Sequence, residues 1–225
     1  MEALRTQFFD LEIIVQAWPL LLQGLWITLT LSVVVVTLGL VLGLLVALAS
    51  LSERRWLRWP TLVLVDLFRA LPPLVLLIFV YAGLPFAGLQ LSPFLAVVLA
   101  FALNNAAYYG EVYRAGLLAV PPGQSESARA SGMSAWQTLL WVVLPQAVRK
   151  VSPDLLSNTV EVIKLTSLAS VVSLADLLYR AEMARSLTYN SSPIVAAGVI
   201  YLLMLWPLVR LISLFERGDS QVPRH

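Results

Sequence analysis

The 225-residue chain contains no cysteine and one histidine, His225. The first absence removes disulfides, thiolate metal sites and cysteine nucleophiles together, and the second makes histidine-based catalysis and metal binding poor fits. Charge is also scarce: Asp, Glu, Lys and Arg make up 12% of the chain, against about 25% in an ordinary soluble domain. The only lysines, Lys150 and Lys164, are followed by Val and Leu, so there is no G-x-x-x-x-G-K-[ST] phosphate loop. No nucleophile elbow, zinc motif or acidic metal cluster organises Asp66, Glu111 and Glu161 into an enzyme site.

What is present is apolar length. Hydrophobic residues form 59% of the chain and the mean hydropathy is +0.83, the composition of an integral membrane protein. The small-residue stretch Ala47-Leu48-Ala49 resembles a signal cleavage site, but the apolar run before it, from Leu20, is far longer than the roughly 7–15 residues of a signal core. A membrane helix needs about 20 apolar residues. Five segments meet that demand, near 20–50, 60–83, 93–115, 155–178 and 193–214, so the expected fold is all-α and polytopic. Pro60, Pro93 and Pro193 open spans, where a missing N–H does least harm. Pro72-Pro73 falls inside the second span and is expected to kink or unwind it, with other groups satisfying the freed carbonyls.

An odd number of spans places the termini on opposite faces. Arg54, Arg55, Arg58, Arg114, Arg129, Arg149, Lys150, Arg210, Arg217 and Arg224 share one side, against Arg5, Arg180 and Arg185 on the other. The basic majority marks the cytoplasmic face. The expected organisation is an outer N-terminal segment, 1–19, a membrane domain, 20–216, and a cytoplasmic tail, 217–225. Trp18, Trp26, Trp56, Trp59 and Trp206 lie near span ends, as interfacial anchors do.

About 40 cytoplasmic residues separate the third and fourth spans, too many for a simple turn. Pro121-Pro122-Gly123 reverses the chain, Ser125 is placed to cap a short helix, and Gly132 suits a left-handed stop. Ser134 is a candidate second cap, after which Trp136, Leu139, Leu140, Val143 and Leu144 recur as one helical face until Pro145. The expected result is a helix-turn-helix elbow within 119–150.

Glu126-Ser127-Ala128, then Gly132, then Val142-Val143-Leu144-Pro145 resembles the EAA loop of ABC importer permeases: EAA, three residues, Gly, nine residues, I-x-L-P. LLQGLWITLTLS at 21–32, FRALPPLVLLIFVYAGLP at 68–85, AAYYGEVYRAGLLAVPPGQ at 106–124 and KLTSLASVVSLADLLYRA at 164–181 are similar to segments of the polar amino acid permeases of that superfamily. Leu165 stands where that family commonly has Asp. The resemblance implies a type I ABC importer transmembrane fold in a bacterial cytoplasmic membrane. It further implies a second permease subunit, identical or related, a dimeric ABC ATPase that binds the ATP and magnesium, and a periplasmic or lipid-anchored substrate-binding protein. No cofactor on this chain and no nucleic-acid partner are expected. On the same resemblance Glu126, Ser127, Ala128, Gly132, Leu144 and Pro145 dock the ATPase.

Two polar stripes cross the spans: Asn104, Asn105, Tyr108 and Glu111 on the third, and Glu161, Lys164, Thr166 and Ser167 on the fourth. Together they offer the charges, amides and hydroxyls that a zwitterionic substrate needs in a dehydrated site; the same residues equally suit helix packing. Arg69 joins them as a candidate, although Asp66 three residues earlier can pair with it, as Glu161 can with Lys164. An ion-coupled carrier or channel would use the same charges, but the chain lacks the internal repeat common in such carriers.

Overall fold

The computed structural model describes residues 2–219, excluding the side chains of Ala3 and 214–219. Among the described residues there is helix and turn but no strand. The α-helices are α1 (Glu2–Phe8), α2 (Leu11–Ser50), α3 (Arg55–Ala70), α4 (Pro73–Ile78), α5 (Pro93–Leu118), α6 (Pro122–Ala130), α7 (Ala135–Gln137), α8 (Leu144–Lys150), α9 (Ser152–Leu165), α10 (Leu177–Thr188) and α11 (Ser192–Asp219). Four stretches are long and apolar enough to cross a membrane: Leu4–Ser50, Pro93–Leu118, Ser152–Val172 and Ser192–Ser213. The broken pair Arg55–Ala70 and Pro73–Ala87 makes a fifth if counted as one span.

Four boundaries differ from the sequence expectation. The second span starts at Arg55, so Pro60 lies inside α3 instead of opening it. The segment 1–19 is largely helical, because the Asp10 carboxylate accepts from the N–H groups of Glu12 and Ile13 at 3.0 and 3.3 Å and starts α2 early. The fourth span does not continue to 178. Thr166, Ser167 and Ser170 donate their hydroxyls to carbonyls three residues back, and the chain there tightens into a 3₁₀ turn, Thr166–Val172, that stops at Ser173 with φ +59°. Finally, α11 runs to Asp219, and the rest of the expected tail lies outside the described residues.

The chain divides into two compact units. The first comprises Met1–Val36, Pro72–Phe101 and Val160–Arg210. Its core joins Ala17 and Leu21 of α2 to Leu177, Ala181 and Ala184 of α10 and Ala196 and Ala197 of α11. Small residues let these backbones approach closely, as in membrane helix packing generally. A Cβ on Gly24 would lie 2.7 Å from the Asp176 carbonyl oxygen, and beside it the Thr28 hydroxyl accepts from Leu177 N–H at 3.0 Å. The turn into α11 is tied to α1: Gln7 donates to the Tyr189 carbonyl, Asn190 to the Thr6 carbonyl and Asp10 N–H to the Ser192 hydroxyl.

The second unit comprises Thr37–Leu71, Ala102–Thr159 and Leu211–His225. Gly39 and Gly43 of α2 face Tyr109 of α5, and a Cβ on Gly43 would lie 2.5 Å from the Tyr109 Cβ. The fully buried Tyr109 shares a 2.8 Å hydrogen bond with Thr159 of α9. Gly116 gives α8 the same close access, with the Ala147 carbonyl 3.0 Å from where its Cβ would stand.

Candidate functional site

The elbow is built by local hydrogen bonding. Its first helix, α6, begins at Pro122, whose fixed φ suits the first helical position. Ser125 therefore lies inside the helix instead of capping it, and Pro121 at the N-cap makes no side-chain bond. At the other end Gly132 has φ +89°, with Gly132 N–H on the Arg129 carbonyl and Met133 N–H on the Ala128 carbonyl, at 3.0 and 3.2 Å. This is the Schellman arrangement, which satisfies the last carbonyls of a helix and favours glycine. Two residues later Ser134 and Gln137 form a reciprocal capping box that starts α7.

Pro145 does not end the second helix. It has no N–H to offer the carbonyl four residues earlier, and the preceding six residues, Thr138–Val143, open into a π turn that leads directly into α8. The wider turn changes which side chains face inward. Thr138 and Ala147 are buried, while Trp136, Leu140 and Trp141 are exposed; of the expected apolar face, Leu139, Val143 and Leu144 are half-buried and Trp136 and Leu140 are not packed. Lys150 donates to the Ala119 carbonyl and closes the elbow at its base; Gln146 bridges α8 to Gln124 of α6 at 3.3 Å. Of the six candidate coupling residues, Glu126, Ser127 and Pro145 are exposed, Gly132 lies in the exposed turn, Leu144 is half-buried and Ala128 is the buried residue of α6.

Arg69, Asn104, Asn105, Tyr108 and Glu111 also belong to the second unit. The helix α3 stops at Ala70 because Leu71 and Pro72 are extended. Pro72 and Pro73 would otherwise have supplied the N–H donors for the carbonyls of Phe68 and Arg69. Those two carbonyls are met from α5 instead: Asn104 Nδ2 donates to Phe68 O at 2.8 Å and Tyr108 Oη to Arg69 O at 3.2 Å. The Arg69 guanidinium sits 5.6 Å from the centroid of the Tyr108 ring, and no Asp66–Arg69 ion pair forms among the described residues. Glu111 pairs with Arg114 through two hydrogen bonds. Asn105 is buried.

The other stripe lies in the first unit on α9 and its 3₁₀ extension. Glu161 and Lys164 form the expected ion pair and both are exposed. Thr166 is buried with its hydroxyl on the Ile163 carbonyl at 2.6 Å; Ser167 donates to the Lys164 carbonyl at 2.8 Å. Two polar residues escaped sequence reasoning, Thr28 and Asp176. Asp176 is fully buried and caps α10 through a 2.8 Å bond from Tyr179 N–H. An Asp directly before the apolar run Leu177-Leu178-Tyr179 was the available signal for that cap. Asp176 lies beyond the span that ends at Val172, and burial pushes its carboxyl up to about 7.

Residues 39–218 match the family described as binding-protein-dependent transport system inner membrane component. The chain belongs to that family. This permease is 32% identical over 92% of its length to a probable amino-acid ABC transporter permease of Bacillus subtilis, YckA, covering 91% of that protein. It is 36% identical over 88% of its length to the arginine transport system permease ArtQ of the same organism, covering 92% of it. It is 38% identical over 92% to the octopine transport system permease OccM of Rhizobium meliloti, covering 89%. A solved amino acid ABC transporter crystallised with histidines matches at TM-score 0.83 and 35% identity, over 93% of this chain and 98% of that one. The fold is that of a type I ABC importer permease, and the chain is an ABC importer transmembrane subunit.

Proposed function

We propose that this permease carries polar or charged amino acids, or closely related zwitterions, inward across a bacterial cytoplasmic membrane, using ATP hydrolysed on a separate subunit. The observation that carries the coupling part is the elbow: a helix stopped by Gly132 and a second one started by Ser134, presenting Glu126 and Ser127 while anchored by Ala128 and the Lys150–Ala119 bond. Such a short, locally locked lever suits transmission of ATPase movement to the spans. The partners are a dimeric ABC ATPase, a second permease subunit and a substrate-binding protein on the outer face. The basic majority supports an outer N-terminus and a cytoplasmic elbow and C-terminus. Amino acid relatives support the substrate class, and the charges of Arg69, Glu111, Glu161 and Lys164 with the hydroxyls of Thr166 and Ser167 are the groups we assign to the path.

The test uses the assembled transporter in proteoliposomes. With Gly132→Val or Glu126→Lys, membrane insertion is retained while ATP-dependent amino acid uptake falls at least tenfold, a loss of about 1.4 kcal/mol of coupling. Unchanged uptake in both variants would remove the elbow from the coupling path. Uptake by this chain without any ATPase, driven by an ion gradient, would overturn the whole reading.

A further inference from the structure

Beneath the elbow lies a cleft of about 450 Å³. Its walls are Leu48 and Leu51 at the end of α2, Leu117 at the end of α5 and Leu139 of the π turn, and Arg129 and Thr138 supply its polar end. Thr138 Oγ1 is buried and has no hydrogen-bond partner, a condition that costs free energy unless a ligand relieves it. Arg129 uses Nη1 on the Met133 carbonyl at 3.0 Å, which commits one of the five donors of its fork.

The apolar walls continue along α2. Val41 and Leu45, each 57% exposed, share a helical face with Leu48 and extend the track by about 10 Å at 1.5 Å per residue. On the elbow, Trp136 and Trp141 are 67% and 75% exposed. Exposed indoles are enriched at headgroup depth, and Arg54 at the N-cap of α3 with Arg55 and Arg58 in its first residues follow the α2 end that lines the cleft. A cation and a donor hydroxyl at one end of an apolar track match a phosphodiester followed by an acyl chain.

We propose that this cleft binds an anionic glycerophospholipid of the cytoplasmic leaflet, its phosphate on Arg129 and Thr138 and one chain along Leu48, Leu45 and Val41. The site rests on the membrane placement of the chain and not on its coupling to an ATPase, so it is tested by binding and not by transport.

The experiment is native mass spectrometry of the full chain and of the assembled transporter, each exchanged into mixed micelles of phosphatidylglycerol and phosphatidylcholine. One phosphatidylglycerol should be retained in preference to phosphatidylcholine on both. Arg129→Gln should lower that retention about tenfold, the scale of one charge-assisted hydrogen bond, and Thr138→Val should lower it by less. Thr138→Val keeps the side-chain shape, so it reports even if the arginine variant folds poorly. Equal retention of the two lipids, or retention insensitive to both substitutions, would overturn the proposal. So would displacement by millimolar inorganic phosphate, which marks a free-anion site, or loss of the lipid from the assembled transporter alone, which marks a surface covered by protein.

Discussion

Asn104 donates to the carbonyl of Phe68 across 2.8 Å, in place of the N–H that Pro72 lacks. One turn along α5, Tyr108 does the same for Arg69 against Pro73. The prolines and the polar pair thus form one device: the break in the helix is tolerable because its two orphaned carbonyls are satisfied from outside.

This yields a double-mutant test. Asn104→Leu should destabilise the permease by about 1–3 kcal/mol, the cost of a buried carbonyl left without a donor. In a Pro72→Ala background an N–H is again available to Phe68, and the penalty of Asn104→Leu should shrink by about 1 kcal/mol or more. Detergent-solubilised protein unfolded by denaturant would report both values. Equal penalties in the two backgrounds would separate Asn104 from the helix break and leave it available for the transport path.

The close contact of α2 with Tyr109 gives a second comparison. Gly43→Ala places a methyl 2.5 Å from the Tyr109 Cβ, and overpacking of that kind costs about 1–3 kcal/mol or more. Gly198→Ala on α11 meets nothing within 4 Å and should be neutral to stabilising by up to about 1 kcal/mol. Thermal unfolding of the two variants should move in opposite directions, or only for Gly43. A Gly43 variant as stable as the parent would contradict the packing described for the second unit.

A third prediction concerns pH. The Asp176 carboxyl rises from its ordinary value of 3.8 to about 7 on folding because it is buried. Between those values the folded chain holds the proton more tightly than the unfolded one, so stability is greatest below about 4 and declines as pH rises to about 7. Asp176→Asn keeps the oxygen that caps α10 but cannot ionise. It should match the parent near pH 4 and exceed it near pH 8 by a few kcal/mol, at about 1.4 kcal/mol per unit. Parallel pH profiles for the two proteins would mean that Asp176 does not titrate in this range.

Features made by adjacent residues were legible in the sequence. Gly132 and Ser134 declare themselves because a left-handed stop and a capping box are closed by neighbours within five residues. The break at Pro72-Pro73 was legible for the same reason. The partners of its carbonyls were not, since nothing local ties Asn104 and Tyr108 to Phe68 and Arg69, thirty-six and thirty-nine residues away. Asp66 and Arg69 have the spacing of an ion pair, yet the arginine lies over Tyr108; spacing states what can meet and tertiary packing decides what does. The face read from Trp136, Leu139, Leu140, Val143 and Leu144 was legible in part: Leu139, Val143 and Leu144 are half-buried while Trp136 and Leu140 are exposed, and periodicity, which assumes a constant turn, did not foresee the π turn at Thr138–Val143 or the buried Thr138.

The bonds that join α1 to the turn before α11 bring together residues 182 to 184 positions apart. In a secreted domain that job commonly falls to a disulfide. Here a chain without cysteine achieves a reversible clasp from two amides, a hydroxyl and backbone groups. An extension attached before Glu2 leaves the clasp intact, whereas truncation through Asp10 unfastens Tyr189 and Ser192 and loosens the start of the last span from a distance, with no change to any residue of that span.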